Sequence, residues 1–104
     1  MKTLKEIRED LKEVRYYYAN QKTFDTATEI AEIEAIKKID LYNQIMGKAP
    51  LKLVELYIML YVNNNSQSTL AYDKDCSPHY IQMQNNKLCN FLQKEINRAG
   101  NDDV

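Results

Sequence analysis

The sequence predicts an all-α protein in which an N-terminal helical hairpin is followed by three further helices. Helix-forming residues are abundant, and the chain has only two glycines and two prolines, fewer than the turns of an all-β protein require. Apolar residues also recur at alternating steps of three and four, the period of a helix with one buried face. A length of 104 residues fits one domain with one modest core.

The first helix is expected to begin after Thr3, because Thr3 and Glu6 have the spacing of a capping box. Its apolar residues follow the a and d positions of a heptad, as in a coiled coil or a helix packed in a bundle. We expect this stripe to form a homodimer or partner contact through Leu4, Ile7, Leu11, Val14 and Tyr18. Two charged stripes lie beside it, one basic (Lys5, Arg8, Lys12, Arg15) and one acidic (Glu6, Glu9, Asp10, Glu13). Both are interpreted as solvated surface, and for the basic stripe this interpretation is preferred to a phosphate contact.

The second helix is expected to follow a second capping box, Thr26 with Glu29. Its apolar stripe comprises Ile30, Ile33, Ala35, Ile36, Ile39, Tyr42 and either Ile45 or Met46. Gly47 is the natural residue to end it. Residues 1–48 are therefore predicted to form a helical hairpin used for packing or dimerisation.

Residues 49–98 are predicted to form a second unit of three helices. Its first helix runs from about Pro50 to Val62 and, with few polar positions, should be the most buried in the protein. Three asparagines, residues 63–65, then stop it, because Asn tolerates left-handed backbone geometry. Residues 99–104 end in acidic side chains and are expected to be a disordered tail.

The last two predicted helices are separated by a tight turn. Ser66 is a good N-cap for a short helix that buries Leu70 and Ala71. Ser77 and Pro78 start the final helix, with the serine as cap and the proline at the first helical position. Its core side carries Ile81, Leu88, Leu92 and Ile96, and its opposite side carries His79, Gln82, Met83 and Asn86.

Charge and the length of the apolar runs limit the classes of function and the location of the protein. The net charge is −1, so the sum alone does not indicate nucleic-acid binding, but the stretch from Cys76 to Arg98 is mildly basic. The N-terminal stretch is charged throughout, which argues against a signal peptide. The longest apolar run, 53–62, is about half a membrane span. We expect a cytoplasmic protein that does not enter a membrane.

The stretch from about Leu51 to Ile96 resembles region 4 of the sigma-70-type sigma factors and its phage-encoded relatives. The resemblance rests on an apolar-Ala pair (Leu70-Ala71), a turn ending in an apolar residue and Ser (Cys76-Ser77), and an apolar residue four positions later (Ile81). It implies a helix-turn-helix unit in a small regulator of phage or mobile-element type. The turn departs from the family pattern, with Lys74 and Asp75 where an apolar residue and Gly are preferred, and the final helix has no Arg before Lys87.

The residue types on the final helix suit contact with double-stranded DNA. Gln and Asn pair with adenine in the major groove, so Gln82 and Asn86 are predicted readers, together with His79 and Met83. Phosphate contacts are predicted for Lys52, Lys74, Ser77 and Lys87. A homodimer would present two such helices at once and offset the weak basicity.

Other classes of function have less support or remain open. An enzyme is not expected, because the chain has one His and no Gly-rich phosphate loop. No metal or other cofactor is implied, since Cys76 and His79 could share an ion but Cys89 lies about 15 Å along the same helix. One rival is an adaptor or anti-activator that holds RNA polymerase or another regulator through its tyrosines and the a/d stripe of the first helix. An apolar patch of Tyr72, Tyr80 and Met83 would favour this rival. Another is an accessory protein that binds a plasmid or transfer origin.

Overall fold

The computed structural model describes residues 1–21 and 30–102, and every regular element in these ranges is helical. In chain order the elements are α1 (Leu4–Ala19), α2 (Ile30–Met46), α3 (Leu51–Tyr57), a π-helical segment (Ile58–Val62), α4 (Gln67–Asp73) and α5 (Pro78–Asp102). The prediction of an all-α protein is therefore confirmed. The predicted capping box of Thr26 and Glu29 lies outside the described residues, and α5 continues past residue 98, into the segment predicted to be a disordered tail.

Helix α1 begins as the sequence predicts and packs its apolar stripe inside the chain. Thr3 Oγ1 accepts from the Glu6 amide, and the Glu6 carboxylate accepts from the Thr3 amide, which completes the capping box. Ile7, Leu11 and Val14 are at most 1% exposed, while Leu4 and Tyr18 are partly buried against the same core. These three side chains pack inside the chain and are not exposed for a dimer contact, while the expectation of a homodimer itself stays a prediction.

The core lies where α1, α2, α5 and the π-helical segment meet. Its largest fully buried side chains are Tyr42, Ile7, Leu11, Ile39, Ile81, Leu88, Leu92, Val14 and Cys89. Helix α5 contributes four of these, at the spacing of one helical face. The opposite face of α5 is therefore turned to solvent.

The predicted third helix changes geometry halfway and is less buried than its composition suggests. Leu56, Tyr57 and Leu60 are buried, but Leu51 is 72% exposed and Ile58 is 42% exposed. From Ile58 the backbone is π-helical, and the Asn63 amide donates to the Ile58 carbonyl at 2.8 Å. No helix in the described ranges combines the length and the apolar character needed to cross a bilayer.

A buried carboxylate, that of Asp10, joins α1 to α2 and to the N-terminal segment. Asp10 is 5% exposed, although the sequence placed it in a solvated acidic stripe. It accepts from the Tyr42 hydroxyl at 2.6 Å, from Lys38 Nζ at 3.2 Å, and from Lys2 Nζ. A carboxylate this buried requires such partners, since an unpaired buried charge is very costly.

The Lys2 backbone continues this network to α5. Its amide donates to Asn97 Oδ1 at 2.8 Å, and its carbonyl accepts from Asn97 Nδ2 at 3.1 Å and Gln93 Nε2 at 3.2 Å. The N-terminal segment is thus bonded to α5 through its backbone and to α1 through its side chain. These contacts fix the position of α1 along α5.

The network also determines the pKa of Asp10. Burial alone would raise this pKa, but hydrogen bonds from Lys2, Tyr42 and Lys38 together lower it below the usual 3.8. A folded-state pKa below the unfolded value means that the carboxylate contributes its full stability above about pH 4. That contribution is lost as the pH falls through the folded-state pKa.

Replacing the buried carboxylate tests its structural role. We expect Asp10→Ala to lower the free energy of unfolding by about 1–3 kcal/mol, because the buried Tyr42 hydroxyl loses its acceptor. The difference from wild type should be constant from neutral pH down to about 4 and shrink in stronger acid. Urea unfolding followed by circular dichroism at several pH values measures both.

The matched control is Glu13→Ala, which removes a carboxylate from the same helix. The Glu13 side chain is 49% exposed and accepts from Lys38 at 2.9 Å, so its loss should cost at most about 1 kcal/mol. Equal losses for the two variants, or a difference that grows in acid, would contradict the role given to Asp10.

Candidate nucleic-acid interface

The turn between α4 and α5 is closed by backbone bonds. Ser66 Oγ accepts from the Thr69 amide at 3.0 Å, which confirms Ser66 as the N-cap of α4. At the other end the Cys76 amide donates to the Ala71 carbonyl at 2.9 Å and the Asp75 amide donates to the Tyr72 carbonyl at 3.2 Å. These two bonds form a Schellman motif, which requires a left-handed residue between the helix and the next segment.

Asp75 is that left-handed residue, with φ of 54°. It stands where the resembling family prefers Gly, and it adopts the backbone conformation for which Gly is preferred. Asp is among the few other residues that adopt this region at modest cost. An Asp at this position is therefore compatible with the left-handed backbone that the turn requires.

Helix α5 begins at the predicted cap. Ser77 Oγ accepts from the Tyr80 amide at 3.1 Å, and Pro78 is the first helical residue. Ser77 is exposed, and its hydroxyl proton remains able to donate to a phosphate oxygen while Oγ caps the helix. The first turn of α5 is thus fixed directly beside the turn that follows α4.

The side chains predicted to read bases all lie on the solvent side of α5. His79, Gln82, Met83 and Asn86 are exposed, while Ile81 on the opposite side is 2% exposed. Gln82 and Asn86 are one helical turn apart and therefore project from the same face. The neighbouring Asn85 is instead buried and accepts from the Tyr61 hydroxyl at 2.6 Å, so it belongs to the core.

Asn86 has a protein partner that the sequence did not indicate. An Arg8 guanidinium N–H from α1 donates to Asn86 Oδ1 at 3.2 Å. An amide oxygen has two lone pairs and the NH₂ group has two protons, so Asn86 can still form both bonds to an adenine edge. The basic stripe of α1 was visible in the sequence, but its position beside α5 depends on tertiary packing.

Two of the four predicted phosphate contacts lie at the other side of α5. Lys52 and Lys74 line an open groove of about 370 Å³ together with Tyr80, Gln84 and Glu55. Gln84 and Asn86 are about 200° apart around the helix, so this groove and Arg8 lie on different flanks of the exposed face. Lys87 is exposed on α5 itself.

Aromatic and acidic side chains occupy the end of α4 and the following turn. Tyr72 is 86% exposed and lines an open surface pocket together with Asp73 and Asp75. Tyr80 and Met83 are 46% and 47% exposed. The two carboxylates make the surface around Tyr72 acidic.

The two cysteines are free thiols that do not form a ligand set. Cys89 is buried, which raises the pKa of its thiol, and Cys76 is partly buried in the groove wall. Within the described part of the chain, no three His, Cys, Asp or Glu side chains are grouped so as to hold a metal ion.

Comparison of the chain with protein-family models, curated proteins and solved structures found no match. The resemblance to sigma-factor region 4 therefore rests on its motif residues. Among these residues, Leu70, Ala71 and Ile81 are buried and Ser77 caps α5.

The left-handed turn can be tested with two substitutions that both remove the Asp75 carboxylate. We expect Asp75→Gly to be more stable than Asp75→Ala by about 1 kcal/mol, because alanine at positive φ is strained and glycine is not. Urea unfolding of both variants measures the difference. If the alanine variant equals or exceeds the glycine variant in stability, position 75 does not have a left-handed backbone.

Proposed function

We propose that this chain is a small, sequence-specific DNA-binding protein, a transcription regulator of phage or mobile-element type that acts in the cytoplasm. Helix α4, the Schellman turn and α5 serve as its helix-turn-helix, and residues 1–48 serve as a supporting hairpin. The observation that carries the proposal is the exposure of Gln82 and Asn86 on one face of α5, directly after a capped turn. Amide side chains in that arrangement match the edge of adenine.

In this proposal α5 lies in the major groove with its first two turns against the bases. Gln82 and Asn86 each make a bidentate pair, worth about 1–3 kcal/mol of discrimination against a wrong base. Met83 contacts a thymine methyl group, and His79 lies near enough to the helix start to reach a guanine or a phosphate. Lys52, Lys74, Ser77 and Lys87 hold the backbone and set the register of the helix.

The low charge of the chain favours binding as a homodimer. Few phosphate contacts give weak non-specific affinity, and two linked recognition helices compensate for this without new contacts. Since Ile7, Leu11 and Val14 are buried in the monomer, the dimer uses a surface other than that stripe. An accessory protein at a plasmid or transfer origin would read DNA in the same way.

A second candidate function is supported by the exposed aromatic residues near the turn. Tyr72, Tyr80 and Met83 are all exposed, as an adaptor or anti-activator that binds RNA polymerase or another regulator requires. In that alternative the helix-turn-helix is degenerate and does not bind DNA. The two functions differ in whether the amides of α5 or these three residues are needed for binding.

Removal of the two reading amides tests the proposal. A duplex is first selected by the wild-type protein from a randomised pool, and fluorescence anisotropy then measures binding to this duplex and to a scrambled one. We expect Gln82→Ala with Asn86→Ala to lower the preference for the selected duplex by at least about tenfold, because alanine cannot hydrogen-bond to either base edge.

The control is Gln21→Ala with Gln44→Ala, which removes two exposed amides outside α5. It should retain the wild-type preference. The proposal fails if the wild-type protein selects no duplex, or if the α5 variant discriminates as well as the control.

A further inference from the structure

Helix α1 separates its charges onto two sides. Lys5, Arg8, Lys12 and Arg15 recur at steps of three and four and lie along one side, with the acidic residues on the other. The acidic side faces α2, where Lys38 bonds to Glu13 at 2.9 Å and to Asp10 at 3.2 Å. The basic side faces α5 and the start of α4, next to the reading face.

Two arginines of this basic side are fixed by neutral partners. Arg8 donates to Asn86 on α5 at 3.2 Å. Arg15 donates to Asn64 Oδ1 at 3.1 Å and to the Asn65 carbonyl at 3.0 Å, just before α4. These partners carry no charge, so both guanidinium groups keep their full positive charge and have N–H groups to spare. An arginine side chain that is already fixed by hydrogen bonds loses less conformational entropy on binding an anion than a mobile one does.

The two lysines of the same stripe differ from the arginines in having no ion-pair partner among the described residues. Lys5 and Lys12 are exposed, and neither forms an ion pair with any of the residues in the described ranges. Lys12 lies between the two arginines along α1, and Lys5 lies one turn before Arg8. The four residues therefore form one line of positive charge. Such a line is complementary to a strand of phosphates.

We propose that this basic stripe of α1 binds the DNA backbone on the flank of α5 opposite Lys52 and Lys74. The inference rests on the function proposed above and names a second contact for the same site. A helix is about 10–12 Å across and fills a major groove about 12 Å wide. A neighbouring helix about 8–10 Å away therefore lies over the phosphates that border the groove.

With this stripe, α5 has cations on both flanks. Lys52 and Lys74 lie on the side of Gln84, and Arg8 lies on the side of Asn86. A helix in the major groove has a phosphate strand on each side, so cations on both flanks are what the geometry requires. The charge that the final helix lacks is supplied by the first helix.

The test uses charge removal at two exposed lysines. Lys5→Gln with Lys12→Gln is compared with Lys37→Gln with Lys48→Gln, which removes the same charge from exposed positions on and just after α2. Binding to the duplex selected by wild type is measured at four salt concentrations, and thermal unfolding verifies that both variants fold.

We expect the α1 variant to bind more weakly and to have a shallower slope of log Kobs against log salt. The slope should fall by about 0.9 for each phosphate that a lysine no longer neutralises, or about 1.8 for the two lysines. The α2 control should keep the wild-type slope. Equal slopes for the two variants would overturn the inference about α1. They would leave the proposed function in place if Gln82→Ala with Asn86→Ala still lowers the preference for the selected duplex by at least about tenfold. Absence of wild-type binding to any duplex would overturn both.

Discussion

The buried Asp10 carboxylate is the constraint on which the rest of this structure depends. It bonds α1 to Tyr42 and Lys38 of α2 and to the side chain of Lys2. The backbone of Lys2 is in turn bonded to α5. Each residue step rotates a helix by about 100°, so a shift of α1 by a single position would move its basic side away from α5. The contact between Arg8 and Asn86 thus occurs in the same register in which Asp10 is satisfied.

The apolar residues of α1 could not specify that position by themselves. Ile7, Leu11 and Val14 form a regular apolar stripe, and apolar packing is non-directional. A buried charge is satisfied in one arrangement only, and in the described residues no buried side-chain nitrogen or oxygen lacks a partner. Burial of this charge costs hydration energy, and its hydrogen bonds offset that cost while selecting a single register. In the same register, the basic side of α1 lies next to the exposed face of α5, which itself carries few charges.

Local features could be predicted from the sequence, and contacts between distant residues could not. The caps at Thr3, Ser66 and Ser77 were predictable because capping depends on residues at most three positions apart. The exposure of Gln82 and Asn86 followed from helical periodicity. Asp10 was placed on the surface because charged residues are rarely buried, and its partner Tyr42 is 32 positions away. The contact of Arg8 with Asn86 was missed for the same reason, and the sequence left open whether the α1 stripe packs inside the chain, since both depend on the packing of α1 against other helices.

The most direct test of DNA recognition by α5 is an NMR titration of the ¹⁵N-labelled protein with a duplex that it has selected. We expect the amides of residues 79–87 to shift most, together with the Arg side chains of α1, while the amides of α2 stay in place. This pattern would show α5 in the groove and α1 on its border. Shifts confined to the region around Tyr72, or no shifts at low salt, would contradict recognition by α5 and favour a protein partner at the turn.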